Sequence, residues 1–135
     1  MMPYRYLGLL AGFCLLLGGC TPSLNRPNDP FANLSAADVY LRKGVEYMEM
    51  GNYRVAQQDL NKAISLDGRN SEAHNALAVL SEKLDQPAEA TRHFEQALAL
   101  DPDNHAARNN YARFLCARGQ RPQAQQQFQR VIEAR

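Results

Sequence analysis

Three histidines and three cysteines are the side chains here most readily put to chemical work, so their spacing is the first question. His74, His93 and His105 stand so far apart along the chain that no two of them share a helix face at i, i+4, as a helical zinc pair would require. The chain has no HExxH, no CxxC and no glycine loop of the kind that cradles phosphate. Serine, histidine and aspartate are all present, but nothing in their spacing sets a nucleophile beside a base. The expectation is a non-enzyme with no metal and no cofactor, in which each histidine serves structure.

The elements that position these residues repeat. Ala56, Leu60, Ala63 and Leu66 return one period later as Ala90, Phe94, Ala97 and Leu100, and again as Ala124, Phe128, Val131 and Ala134. The spacing resembles the period, about 34, of the tetratricopeptide helix-turn-helix unit, which cannot bury its apolar face alone and must stack. Abundant Ala, Leu, Gln and Glu without Trp favours helix. The fold class expected is all-α, a tetratricopeptide superhelix of about three units within residues 35–135: 37–70, 71–104 and 105–135. Ser35 and Asp38 have capping-box spacing. Tyr40, Gly44 and Tyr47 match the unit's aromatic–glycine–aromatic pattern, with Lys43 where leucine is usual and Gly44 letting the second helix approach. Gly51-Asn52 should end the first helix and Tyr53 to Leu66 form the second. His74 falls in the large-aromatic slot of the second unit, and Pro87 suits a helix's first turn. In the third unit Gly119 should stop a helix that restarts near Pro122, and Val131 and Ile132 should be partly exposed.

The N-terminus follows different rules. An apolar run from Leu7 to Leu17 ends in Gly18-Gly19-Cys20, too short for a comfortable membrane span and read as a signal peptide over residues 1–19. Leu17-Gly18-Gly19-Cys20 resembles the bacterial lipobox, which implies cleavage before Cys20 and acylation, palmitate included, of that cysteine; the plainer alternative is a signal peptide that happens to contain cysteine. Several acyl chains, at about 0.8 kcal/mol per buried CH₂, would anchor the chain durably. Thr21 after the cysteine resembles the outer-membrane sorting pattern, so the expected location is the outer membrane, with the domain facing the periplasm. Pro22, Pro27 and Pro30 make residues 20–34 an extended, disordered tether, reaching about 20 Å as a flexible chain. Cleavage removes Cys14, which leaves Cys116 without a disulfide partner. Among Phe114, Leu115 and Ala117 it is expected to be half-buried, although Arg113 and Arg118 leave a reactive thiol open.

The formal charge of +1 conceals a segregation. The first unit holds five basic and five acidic residues, the second two and seven, the third six and one, or 0, −5 and +5. The arginines of the third unit do not stripe one face and no aromatics are interleaved with them, which argues against nucleic acid. Attraction between neighbouring acidic and basic surfaces, or with partners, is the simpler use of such charge.

A helical solenoid works through its concave face. The tetratricopeptide resemblance implies that the first helix of each unit lines it, with Leu41, Val45 and Met48 from the first, Asn75 and Val79 from the second, and Asn109 and Arg113 from the third. Leu41, Val45 and Met48 add a second apolar stripe to a helix whose core stripe is already Tyr40, Gly44 and Tyr47, so that helix needs two burial partners. One is its own hairpin mate; the other is expected to be a segment of a protein partner, with Asn75 and Asn109 offered to its backbone. The alternative is cover from the tether or another element of this chain. The lysine–asparagine–arginine clamp for C-terminal carboxylates is not reproduced, because Leu41, Val45, Ala76, Ala106 and Asn110 hold those places.

Taken with the lipobox and tether, the strings LRKGVEYMEMGNYRVAQQDLNKAISLD, AHNALAVLSEKL and NNYARFLCARGQ resemble the type IV pilus biogenesis lipoproteins, the pilotin family of PilF and PilW. The most specific stretch is Asn109-Asn110-Tyr111 with Phe114-Leu115-Cys116. The resemblance implies an outer-membrane lipoprotein whose repeats bind the pilus secretin and help it localise or form multimers, a role in fimbrium biogenesis. A tetratricopeptide lipoprotein scaffolding another envelope complex is the alternative.

Overall fold

In the computed structural model, which describes residues 34–133, the first helix begins where the sequence sets its cap. Ser35 Oγ accepts from the Asp38 amide at 3.1 Å and the Asp38 carboxylate accepts from the Ser35 amide at 3.1 Å, so two helix-end donors are satisfied reciprocally. Six helices follow: α1 Ala36–Glu49, α2 Tyr53–Leu66, α3 Ser71–Lys83, α4 Pro87–Leu100, α5 His105–Ala117 and α6 Arg121–Glu133. The all-α expectation holds across the described residues, and the second helix has the predicted bounds. The signal peptide, Cys20 and the tether up to residue 33 lie outside the described residues.

Both kinds of turn recur with the period of the sequence. Between the helices of each hairpin, Gly51, Asp85 and Gly119 take positive φ of 77°, 53° and 77°. The residue after each donates back to a carbonyl near the end of the preceding helix: Asn52 to Tyr47 at 2.8 Å, Gln86 to Ser81 at 2.9 Å and Gln120 to Leu115 at 2.9 Å. This closes a helix C-terminus by satisfying a carbonyl that would otherwise lack a donor. Between hairpins, Asp67 and Asp101 accept from the Arg69 and Asp103 amides at 3.0 Å each. Asn70 and Asn104 then cap the next helix by accepting from the Ala73 and Ala107 amides at 2.9 and 2.8 Å.

The apolar spacing decides which faces meet. Ala56, Leu60 and Ala63 on α2, and Ala90, Phe94 and Ala97 on α4, are fully buried, one stripe at i, i+4, i+7 on each helix. Gly44 is the first hairpin's tightest approach: a Cβ there would lie 2.6 Å from Leu60 Cγ and 3.2 Å from its backbone nitrogen. Within each hairpin the two helices pack on each other, α2 and α4 pack on the following α3 and α5, and α1, α3 and α5 are successive neighbours. Two clusters result, one around Met48, Leu60, Leu77 and Leu80 and one around Phe94, Tyr111, Phe114 and Leu115, with Val79 packed against both. Aromatic packing sets the second: Phe94 stacks on Tyr111 at 5.2 Å between ring centroids and tilts against Phe114 at 5.6 Å. Burying Leu60 or Phe94 contributes about 1.5–3 kcal/mol each.

Candidate protein-docking surface

Since α1, α3 and α5 are neighbours, the residues expected to bind a partner share one side of the stack but differ in how open they are. Asn109 and Arg113 on α5 are exposed; Leu41 and Val45 on α1, and Asn75 and Val79 on α3, are half-buried. Met48 is buried, at 9% exposure, and with Leu41 and Val45 it belongs to the cluster holding Ala76, Leu77 and Leu80 of α3. The second apolar stripe of α1 thus finds much of its cover within the chain, on the next hairpin, and only Leu41 and Val45 keep an outward part. Asn75 is engaged as well: its Oδ1 accepts from Asn110 Nδ2 at 3.2 Å. That bond ties α3 to α5 and fixes an amide pair beside the exposed Asn109 and Arg113. An extended segment laid along these helices would meet half-covered aliphatic groups first, then amides, then a cation.

Cys116 is exposed, against the expectation of half-burial. Its neighbours Phe114 and Leu115 are buried at 2% and 3% exposure, and one further step along a helix turns the side chain about 100° away from that core. Ile132 is exposed and Val131 half-buried, as expected.

The histidines make a contact that helix spacing does not show. His74 on α3 and His93 on α4 are both buried, and their Nδ1 atoms lie 3.1 Å apart. Arg92 Nη2 lies 3.1 Å from His93 Nε2, and because a guanidinium can only donate, His93 accepts there. His93 therefore carries its proton on Nδ1 and donates to His74, whose own proton sits on Nε2. Burial is the first cause that holds His93 down to about 4, with the Arg92 charge next. Burial likewise lowers His74, against an opposing hydrogen bond to the Gly68 backbone. Glu89 completes the chain by pairing with Arg92. The result is a neutral imidazole pair that pins α3 to α4. Among the described residues no three His, Cys, Asp or Glu side chains gather as a metal group would need.

The same two register positions in the third hairpin hold Arg108 and Gln127, one period after His74 and His93. Arg108 is buried at 7% exposure; its guanidinium donates to Gln127 Oε1 at 2.9 Å and to the Pro102 carbonyl at 2.6 Å. In the first hairpin the positions are Tyr40 and Asp59, with Lys43 reaching Asp59 at 3.5 Å, an ion pair without hydrogen-bond geometry. The sequence signal for Arg108 was an arginine standing in the large-aromatic slot of its unit.

Comparison with known proteins agrees with this architecture. Two family models described as tetratricopeptide repeat match residues 37–70 and 81–135. The type IV pilus assembly protein PilF of Pseudomonas aeruginosa is 35% identical over 99 residues, which cover 73% of this chain and 38% of that protein. An uncharacterised Haemophilus influenzae protein is 30% identical over 100 residues, 74% of this chain and 56% of its own. Among solved structures, Pseudomonas aeruginosa PilF superposes with a TM-score of 0.70 at 33% identity, covering 71% of this chain and 43% of that one. PilW, described as a widely conserved type IV pilus biogenesis factor, superposes with a TM-score of 0.69 at 29% identity, covering 74% and 46%. The chain spans less than half the length of PilF and PilW.

Proposed function

The chain belongs to the tetratricopeptide-repeat family, and from that premise we propose that it is a non-enzymatic scaffold serving type IV pilus assembly. In the finer form of this reading Cys20 carries the lipid, palmitate included, that holds the chain at the outer membrane. Its repeats then face the periplasm and bind the pilus secretin, helping it localise or form multimers as a pilotin does. The docking surface is the one shared by α1, α3 and α5, with Leu41, Val45, Asn75, Val79, Asn109 and Arg113 outward and Met48 as support from beneath.

The likeness to PilF, at 35% identity over nearly all of the repeat region, carries this reading. The lipobox-like Leu17-Gly18-Gly19-Cys20 supports the anchor, and the part of Leu41 and Val45 that α3 leaves uncovered, with the exposed Asn109 and Arg113 on α5, supports a protein ligand. Deleting the gene is expected to abolish detergent-resistant secretin multimers on an immunoblot, and twitching motility with them. Undiminished multimers would overturn the secretin assignment and leave a scaffold for another envelope complex. Cys20→Ser should release the chain from the membrane fraction; full retention would reject the anchor.

A further inference from the structure

Arg108 is the one buried side chain of permanent charge among the described residues. Both of its hydrogen-bond partners, the Gln127 amide oxygen and the Pro102 carbonyl, are neutral. No carboxylate stands within ion-pair distance of it among the described residues. A cation taken out of water and given only neutral acceptors carries an unreturned desolvation cost. An anion from outside would return it.

The space for one adjoins it. Arg108 lines a cleft of about 480 Å³ walled by α4, α5 and α6, within the size range of small-ligand sites. Leu98 and Leu115 give it apolar surface, Arg130 brings a second cation and Gln127 lines it too. Glu95 is the wall's carboxylate, and it accepts from the Tyr111 hydroxyl at 3.3 Å. Burial, with the Glu95 charge next, holds that phenol up to about 12, so it stays a donor to Glu95; the carboxylate offsets one of the two cations, which leaves the lining one positive charge in excess. Both arginines come from the third unit, with six basic residues to one acidic, while the α4 wall belongs to the acidic second unit, so the attraction is local to the two guanidinium groups. On α5, Arg108, Tyr111 and Leu115 follow one i, i+3, i+7 stripe, while Asn109 and Arg113 follow another turned well away from it. The cleft is therefore separate from the surface shared by α1, α3 and α5.

We infer that this cleft is a second docking site, for an extended segment of a partner protein bearing a glutamate or aspartate between apolar residues. The acid displaces the Gln127 amide and takes the Arg108 guanidinium in a two-pronged hydrogen bond, with Arg130 beside it. The flanking side chains lie on the half-buried Leu98, over the buried Leu115. The inference does not depend on which envelope complex the scaffold serves.

The test titrates the full-length, ¹⁵N-labelled chain with two end-blocked peptides, Ala-Leu-Glu-Leu-Ala and its glutamine counterpart, and with free glutarate, following arginine Nε–H and glutamine side-chain signals by NMR. The glutamate peptide should shift Arg108 Nε–H and the Gln127 amide saturably, and bind about tenfold more tightly than the glutamine peptide. Arg108→Gln should abolish the shifts. Because that change can also loosen the third hairpin, the exposed Arg130→Gln serves as the second variant and should weaken binding with unchanged circular dichroism. Equal binding of the two peptides, no saturable shift at millimolar peptide, shifts confined to Asn75 and Asn109, an unaffected Arg130→Gln, or glutarate binding as tightly as the peptide would each overturn the inference.

Discussion

Phe94 in the middle hairpin and Phe128 in the last stand at one register of successive units, yet Phe94 is fully buried and Phe128 only half. The same contrast holds one turn on, where Leu98 is packed into the aromatic cluster while its counterpart Ile132 is 66% exposed. In the polar pair joining the two helices it holds for one member only: His93 is buried and its counterpart Gln127 half-buried, while Arg108 is as buried as His74. A repeated backbone determines which two side chains meet, but not how much water they leave behind. That depends on neighbours, and among the described residues the middle hairpin packs against both of the others.

Truncating the two phenylalanines is the strongest way to break this comparison. Phe94→Ala removes a ring packed on Tyr111 and Phe114 and should cost about 3–5 kcal/mol of unfolding free energy. Phe128→Ala, starting from half-burial, should cost about 1–2 kcal/mol. Urea denaturation at pH 7 measures both, and equal losses would mean that the last hairpin is as well covered as the middle one.

Acid should loosen the middle hairpin. Both of its histidines titrate below their ordinary value when folded, His93 at about 4. Between there and the unfolded value of about 6.5 the unfolded chain binds more protons than the folded one. Stability is therefore full above about pH 6.5 and declines as pH falls toward 4. The urea midpoint should drop between pH 7 and 5, and the drop should shrink in His93→Gln and disappear in the double variant His74→Arg with His93→Gln, which gives the middle hairpin the last one's pair. A flat midpoint in the unaltered chain would show that the imidazoles are not held neutral.

Most of the fold was legible because it is written locally. The capping box at Ser35, the bounds of α2 and the stops at Gly51 and Gly119 depend on a few adjacent residues, and each lies where the sequence puts it. The docking surface was legible only in part. That Leu41, Val45 and Met48 share a face follows from helical periodicity, but that α3 covers Met48 depends on how two hairpins stack. Cys116 departs from the expectation because one step along the helix from the buried Leu115 turns its side chain about 100° away from the core. The His74–His93 contact joins two helices across a turn, so no test of i, i+4 spacing could find it; comparing the same two positions across the three units would have.

A smaller effect concerns the turn that all three hairpins share. Its left-handed residue is Gly51 in the first and Gly119 in the last, but Asp85 in the middle. Beyond its two chain neighbours, no atom would lie within 4 Å of a Cβ built on either glycine, so packing from elsewhere in the fold does not select glycine there; the positive φ does. Asp85 departs from that preference and also sets a carboxylate at the C-terminus of α3, against the helix dipole. Asp85→Gly should relieve both and, after the extra freedom glycine gives the unfolded chain, stabilise by about 0.5–1 kcal/mol. Asp85→Asn tolerates the same φ and removes only the charge, so its gain should be about 0.3 kcal/mol and fade with added salt. Gly119→Ala should instead cost about 1 kcal/mol. If Asp85→Gly were neutral or harmful, the aspartate would hold a contact in the turn beyond those seen here, and the middle hairpin would differ from its neighbours in its backbone as well as in its burial.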